Sequence, residues 1–343
     1  MTTTLNNNSS GETKGEQWDS QVYIHVGLHR TGTTFLQREV FPNLQTTQYL
    51  DNLDVNYWLR RLVSEEDSAY EASAYEDYFT TAVDSRPSLI SYEGLSGEPF
   101  LMYVNQTRNA DRLAAIFPNA TIILGIRRQD TLLLSLYLLF IMHGGSMSLS
   151  AFLGYNKGKF SKRISLYGRR VNLPMFEFGH IADLYEDRFP GRVRFLVSEH
   201  MSRDISGYVR NLCNILGEHE IPDFRTGVRN QAYGYYQYLL ARLLNPLASS
   251  FMNPDGLIPA VGLPGRVRHP MNHLLRHDAV NRLFSSWPKN RIRMPKKMSL
   301  EIMKHYSASN AALDEKWDLG LQELGYIPGG SETQVNAVAA PGA

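Results

Sequence analysis

The stretch Val22-Tyr23-Ile24-His25-Val26-Gly27-Leu28-His29-Arg30-Thr31-Gly32-Thr33-Thr34-Phe35-Leu36-Gln37 decides the fold. An apolar run long enough for a buried strand passes into a loop bracketed by Gly27 and Gly32. The loop then opens onto a segment that predicts a helix over residues 33–41. Glycines at this spacing, between a strand and a helix, let the backbone turn tightly so that successive amides converge, and the helix start adds unpaired N–H groups and a positive dipole end. An anion site is the expectation, and a plain glycine turn is the alternative. The loop that cradles ATP or GTP places Lys directly after its second glycine. Here Thr33 holds that place and the cation is displaced to Arg30, so an ordinary magnesium triphosphate is not the expected ligand.

Working outward, short apolar runs at 88–92, 121–126 and 193–197 read as further buried strands. Residues 107–117, 131–142, 175–189 and 206–216 read as helices between them. Strands alternating with helices predict an α/β fold: a three-layer αβα sandwich on a central parallel sheet, of the P-loop nucleotide-binding type. In such folds the carboxyl ends of the strands face a common crevice, where chemistry is to be sought. The run 121–126 ends in Arg127-Arg128, where phosphate-loop NTPases carry a magnesium-holding Asp. The next helix offers Ser135 and Tyr137, so that an arginine at the strand tip and a hydroxyl on the helix could grip one phosphate together. Two anion sites without a metal suit a nucleotide with phosphate on two separate arms.

These residues resemble a known family. His29-Arg30-Thr31-Gly32-Thr33-Thr34-Phe35 is similar to the 5′-phosphosulfate loop of sulfotransferases that use 3′-phosphoadenylyl sulfate (PAPS). Arg127 with Ser135 eight residues on is similar to their 3′-phosphate motif. Residues 192–200 and the helix ending in Leu216-Gly217 resemble the family's late strand and acidic turn, so the likeness spans about residues 21–245. The chain departs from the cytosolic steroid and phenol enzymes in lacking their C-terminal Arg-Lys-Gly nucleotide motif, for which Arg225, Arg229 and Asn230 are candidate substitutes. The resemblance implies sulfuryl transfer from PAPS to a hydroxyl acceptor such as a glycan, glycolipid or small metabolite, with adenosine 3′,5′-bisphosphate (PAP) as product. It implies that Arg30, Thr31, Gly32, Thr33, Thr34, Phe35, Arg127, Ser135 and Arg229 bind the nucleotide, and that no metal takes part.

Transfer to an alcohol needs a base for the hydroxyl proton and stabilisation of charge on the leaving phosphate. Glu93 directly follows the strand over 88–92, at the carboxyl end facing the crevice, and Gly94 permits a sharp departure. The family's corresponding strand end carries a catalytic His or Glu, which implies Glu93 as base and Arg30 as the charge on the leaving group. Glu98 competes, and a helix-capping or solvated Glu is the alternative. A P-loop kinase-like phosphotransferase would need the absent Lys and Asp, and a non-catalytic nucleotide-binding protein of this fold is the other rival reading.

Composition bounds the rest. The 343 residues, 43% hydrophobic and 20% charged, support a large core. Lys and Arg total 35 against 34 Asp and Glu, too balanced for a coat on nucleic acid or an anionic membrane. One cysteine, Cys213, leaves no internal disulfide, and a cytoplasmic setting is expected. The apolar stretch 121–142 is interrupted at its centre by Arg127-Arg128-Gln129-Asp130, so no transmembrane segment is expected. Residues 1–20 and 329–343 read as flexible tails flanking a single domain over 21–328. Basic residues from Arg266 to Lys297 mark 253–298 as either a lid or acceptor-binding appendage or a solvated basic face. The acceptor pocket is expected from variable loops at 51–78, 144–171 and 256–297. His25 and Cys213 read as core residues, His143 as a helix stop, and Tyr233, Tyr235, Tyr236 and Tyr238 as helix packing.

Overall fold

The computed structural model describes residues 21–161, 171–226, 234–250, 252–253, 255–258 and 292–329. The expected tail at 1–20, all but Gly329 of the expected tail at 329–343, Arg229, Asn230, Tyr233 and most of 253–298 lie outside the described residues.

Five parallel strands form the central sheet: β1 (Val22–Gly27), β2 (Gln48–Tyr49), β3 (Ser88–Ser91), β4 (Thr121–Ile126) and, later in the chain, β7 (Val193–Val197), in the order β2-β3-β1-β4-β7. A separate antiparallel pair, β5 (Tyr155–Asn156) and β6 (Lys159–Phe160), lies between β4 and β7 in sequence. Registers such as Ile24 beside both Ile90 and Ile122 bring the apolar runs side by side.

Side chains alternate across a strand, so each run feeds two cores. Ile122, Leu124 and Ile126 enter one apolar cluster, while Ile123 enters a second with Leu89 and Leu196. The first is covered by α2 (Leu53–Ser64), α3 (Ala72–Ala82), α4 (Gln106–Ile116), α5 (Gln129–Met142), α7 (Phe178–Glu186) and α11 (Lys296–Trp317), with a short α6 (Leu149–Phe152) beside them. The second is covered by Leu36 and Val40, which follow α1 (Thr33–Phe35), and by Tyr208, Val209, Leu212 and Leu216 of α9 (Ile205–Leu216). A helix turn, α8 (Ser198–Arg203), precedes α9, and α10 (Tyr235–Leu244) packs on α5. This is the expected αβα sandwich. Because the chain goes to one side of β1 for β2 and β3, and to the other for β4 and β7, the crevice opens where β1 ends.

Three segments differ from the sequence reading. Residues 51–78, expected as a variable loop, are largely α2 and α3. Val55, Leu59 and Leu62 recur at helical spacing and are buried, and Asn52 caps α2 by accepting from Val55 N at 2.9 Å. Residues 144–161 contain α6 and the β5–β6 pair. After β1, the helix takes wider π turns over Leu36–Val40. His25 is a core residue as expected: its Nδ1 lies 2.8 Å from Ser91 Oγ, and burial pulls its pKa down to about 4. Cys213 is buried, and the Tyr137 and Tyr238 hydroxyls meet at 2.9 Å, so these tyrosines serve packing.

Candidate functional site

The loop after β1 is held by contacts that only small residues allow. Gly27, Arg30 and Gly32 have φ of +91°, +67° and +99°. Two of the three are glycine, and Arg30 is held in the left-handed region at a strained position. The Thr31 hydroxyl donates to Leu28 O at 2.6 Å, and Leu28 N donates to Gly125 O at 3.0 Å, tying the loop to β4. A Cβ at Gly125 would stand 2.6 Å from Thr31 Oγ1 and 3.3 Å from Gly27 O. Gly125→Ala is therefore expected to destabilise the protein by roughly 1–3 kcal/mol, read as a lower urea midpoint at unchanged m-value. Ser198 Oγ lies 2.8 Å from both Thr31 O and Ile126 O, joining the loop to the tips of β4 and β7. The first helical bond runs from Phe35 N to Gly32 O, so the Thr33 and Thr34 amides precede the helix's own acceptors.

Two guanidinium groups meet at this loop. Arg30 Nε donates to Ser135 Oγ at 2.8 Å, Arg127 Nε donates to Thr131 Oγ1 at 3.1 Å, and Arg127 Nη1 donates to Arg30 O at 3.1 Å. The structure thus brings Ser135 to Arg30, where the sequence reading pairs it with Arg127, because Thr131, in the first turn of α5, is the hydroxyl that meets Arg127. Both arginines are half-buried, and among the described residues neither has a carboxylate within ion-pair distance. Desolvation, followed by the charge of Arg127, lowers the Arg30 pKa, and desolvation lowers that of Arg127. Two neighbouring, partly dehydrated cations with no carboxylate within ion-pair distance among the described residues could hold an anion. Arg128 differs: its Nε donates to Asp130 Oδ1 at 2.8 Å, so its charge is answered within the protein.

Glu93 opens a 3₁₀ turn, Glu93–Ser96, at the end of β3. Ser96 Oγ donates to Glu93 O at 2.9 Å and Asn109 Nδ2 to Gly94 O at 3.1 Å, which fixes the turn. A Cβ at Gly94 would stand 2.6 Å from the Tyr92 ring, so a larger residue there would require that ring to move. Desolvation raises the Glu93 pKa to about 7, against the opposing charge of Arg30. His29 Nε2 stands 4.0 Å from Glu93 Oε2, and burial, then the Arg30 charge, hold the imidazole down at about 4. Near neutral pH the pair is a neutral histidine beside a carboxyl poised between its two forms. Glu98, the competitor, caps the next turn by accepting from Phe100 N at 3.2 Å. His143 ends α5 as expected; desolvation and then the Arg30 charge depress its pKa.

Phe35 meets Phe224 edge-on at 5.7 Å, and Arg225 is exposed beside Phe224. Sequence reasoning missed Thr131, Ser198 and Tyr326, whose hydroxyl donates to Glu199 Oε2 at 2.6 Å beside the tip of β7. The first two carry no signal beyond their place after a strand, and Tyr326 is brought in from more than a hundred residues away. Tyr103 was missed too: among the described residues its buried hydroxyl has no hydrogen-bond partner, and its ring stands 6.3 Å from His29.

No family model matches the chain, and no curated protein does. Among solved structures, a sulfotransferase from Alicyclobacillus acidocaldarius aligns at a TM-score of 0.43 and 17% identity, covering 61% of this chain and 86% of that one. The sulfotransferase domain of the Synechococcus PCC 7002 olefin synthase aligns at 0.40 and 14%, covering 86% and 94%. A mouse sulfotransferase complexed with PAP aligns at 0.32 and 12%, covering 87% and 88%. Likenesses at this level leave substrate and chemistry to the residues themselves.

Proposed function

We propose that the chain is a sulfotransferase that moves the sulfuryl group of PAPS to a hydroxyl on a glycan, glycolipid or small-metabolite acceptor. The observation that carries this reading is the pair of half-buried guanidiniums, Arg30 and Arg127, with no carboxylate within ion-pair distance among the described residues, at a glycine loop. A donor with a 5′-phosphosulfate and a 3′-phosphate supplies two anions to such a place. Thr31, Gly32, Thr33 and Thr34 offer loop amides and hydroxyls to the 5′ arm, and Phe35 an apolar face to the base. Arg127 takes the 3′-phosphate, and Ser135 orients Arg30.

In this scheme the Glu93 carboxylate accepts the acceptor's hydroxyl proton while the acceptor oxygen forms its bond to sulfur. The bond from sulfur to the 5′-phosphate oxygen breaks, and its electron pair leaves on that phosphate beside Arg30. The desolvation that raises Glu93 makes it a stronger base than an ordinary carboxylate once ionised. In-line alignment of donor and acceptor supplies the rest of the rate gain.

The test is calorimetry with PAP, followed by a screen of hydroxyl acceptors with radiolabelled PAPS. Saturable PAP binding and label transferred to an acceptor are the expected results. Preference for magnesium-bound ATP would reject the reading, and PAP binding without transfer to any acceptor would favour a non-catalytic nucleotide-binding protein.

A further inference from the structure

Among the described residues Arg127 has no carboxylate within ion-pair distance, although Glu199, which accepts from the backbone N of the next residue, is the carboxylate whose charge acts on it most strongly. Glu199 is the second residue of α8, at the tip of β7, and both its oxygens are engaged elsewhere. Oε1 accepts from Arg128 N at 3.0 Å, and Oε2 accepts from the Tyr326 hydroxyl at 2.6 Å. The second is short, as a hydroxyl on a carboxylate should be. Tyr326 is fully buried, and its place is set from several sides. Its N–H donates to Leu321 O at 3.0 Å, and its carbonyl accepts from Asn310 Nδ2 at 3.0 Å. Asn310 in turn pairs with Gln129 at the start of α5, at 2.8 and 3.1 Å. The Asp314 carboxylate accepts from the amides of Leu319, Leu321 and Gln322, fixing the turn that carries Tyr326.

Resting on the donor reading above, we infer that Tyr326 is a positioning residue: it holds the Glu199 carboxylate on itself and on the Arg128 amide, so that Arg127 remains open to the donor's phosphate. The C-terminal turn thereby serves the nucleotide site without touching the nucleotide. A carboxylate released from its hydroxyl partner in a desolvated setting is drawn to the cations beside it; of the two arginines on which Glu199 acts, Arg128 is already paired with Asp130 and Arg127 is the one left to take it.

The test is PAP binding by calorimetry to the full chain and to Tyr326→Phe, Glu199→Gln and the double variant. Tyr326→Phe should weaken PAP about tenfold, the loss expected when a charge-assisted contact to phosphate is diverted. Adenosine 5′-monophosphate, which lacks the 3′-phosphate, should lose much less. Adding Glu199→Gln to Tyr326→Phe should restore PAP affinity to near the wild-type value, because the competing charge is gone. Mere loosening of the fold would not be repaired by a second substitution in the same network. Wild-type affinity in Tyr326→Phe, or a double variant as weak as the single, overturns this inference while leaving the donor reading intact. A wild-type chain that takes up no PAP overturns both.

Discussion

Replacing Glu93 by Gln is expected to lower sulfuryl transfer by a factor on the order of a hundred to ten thousand, the span that positioned general bases supply. PAP affinity should stay within a few-fold, since the substitution keeps the shape of the side chain and removes only its ability to take a proton. Steady-state rates with PAPS and calorimetry with PAP separate the two. The wild-type rate should rise with pH through a midpoint near 7, where desolvation places the Glu93 carboxyl, because only its ionised form accepts the hydroxyl proton. His29, held near 4, stays neutral through that window and contributes no second limb there.

The same shift bears on stability. A carboxyl whose folded pKa lies above its unfolded value favours the fold below the unfolded value of 4.5, and that contribution is lost as pH rises through about 7. Glu93→Gln should therefore raise the melting temperature more at pH 8 than at pH 5. Turnover that survives in Glu93→Gln would move the base to another residue.

Replacing Arg127 by Ala is expected to weaken PAP by about a hundredfold, the upper range for a charge-assisted contact made in a partly desolvated place. Adenosine 5′-monophosphate should weaken by only a few-fold. The difference between the two nucleotides is the diagnostic, because it isolates the phosphate that Arg127 is assigned. Arg127 also donates to Arg30 O and to Thr131 Oγ1, so some loss for both ligands follows from a looser loop. Equal loss for both would assign Arg127 to scaffolding. Competition calorimetry at one salt concentration measures both constants, and raising the salt should narrow the gap between them.

Much of this fold was legible in the residue pattern. Runs such as 121–126 are mostly apolar and buried at every position because a parallel strand covered on both faces has no wet side, and the structure places β4 at those bounds. The loop from Gly27 to Thr34 was legible for a similar reason: tight turns and free amides demand glycine and small hydroxyl residues at set spacings. Glu93 and Arg127 could be picked out because each stands directly after a buried strand, which dictates the end of the sheet where it emerges. The helices within 51–82 were harder to see, since their polar faces outweigh a narrow buried stripe such as Val55, Leu59 and Leu62.

Local sequence determined which strands form, where the loop turns and which side chains reach the crevice, because those outcomes depend on neighbours a few residues apart. Tertiary structure decided how the carboxylate nearest in effect to Arg127 would be engaged. Arg127 and Arg128 are adjacent and alike in sequence, yet Asp130 takes one of them, while Tyr326, folded back from the far end of the chain, occupies the carboxylate that acts most strongly on the other. The Arg128–Asp130 pair is local, two residues apart, but the Glu199–Tyr326 contact spans 127 positions, and no spacing along the chain encodes it.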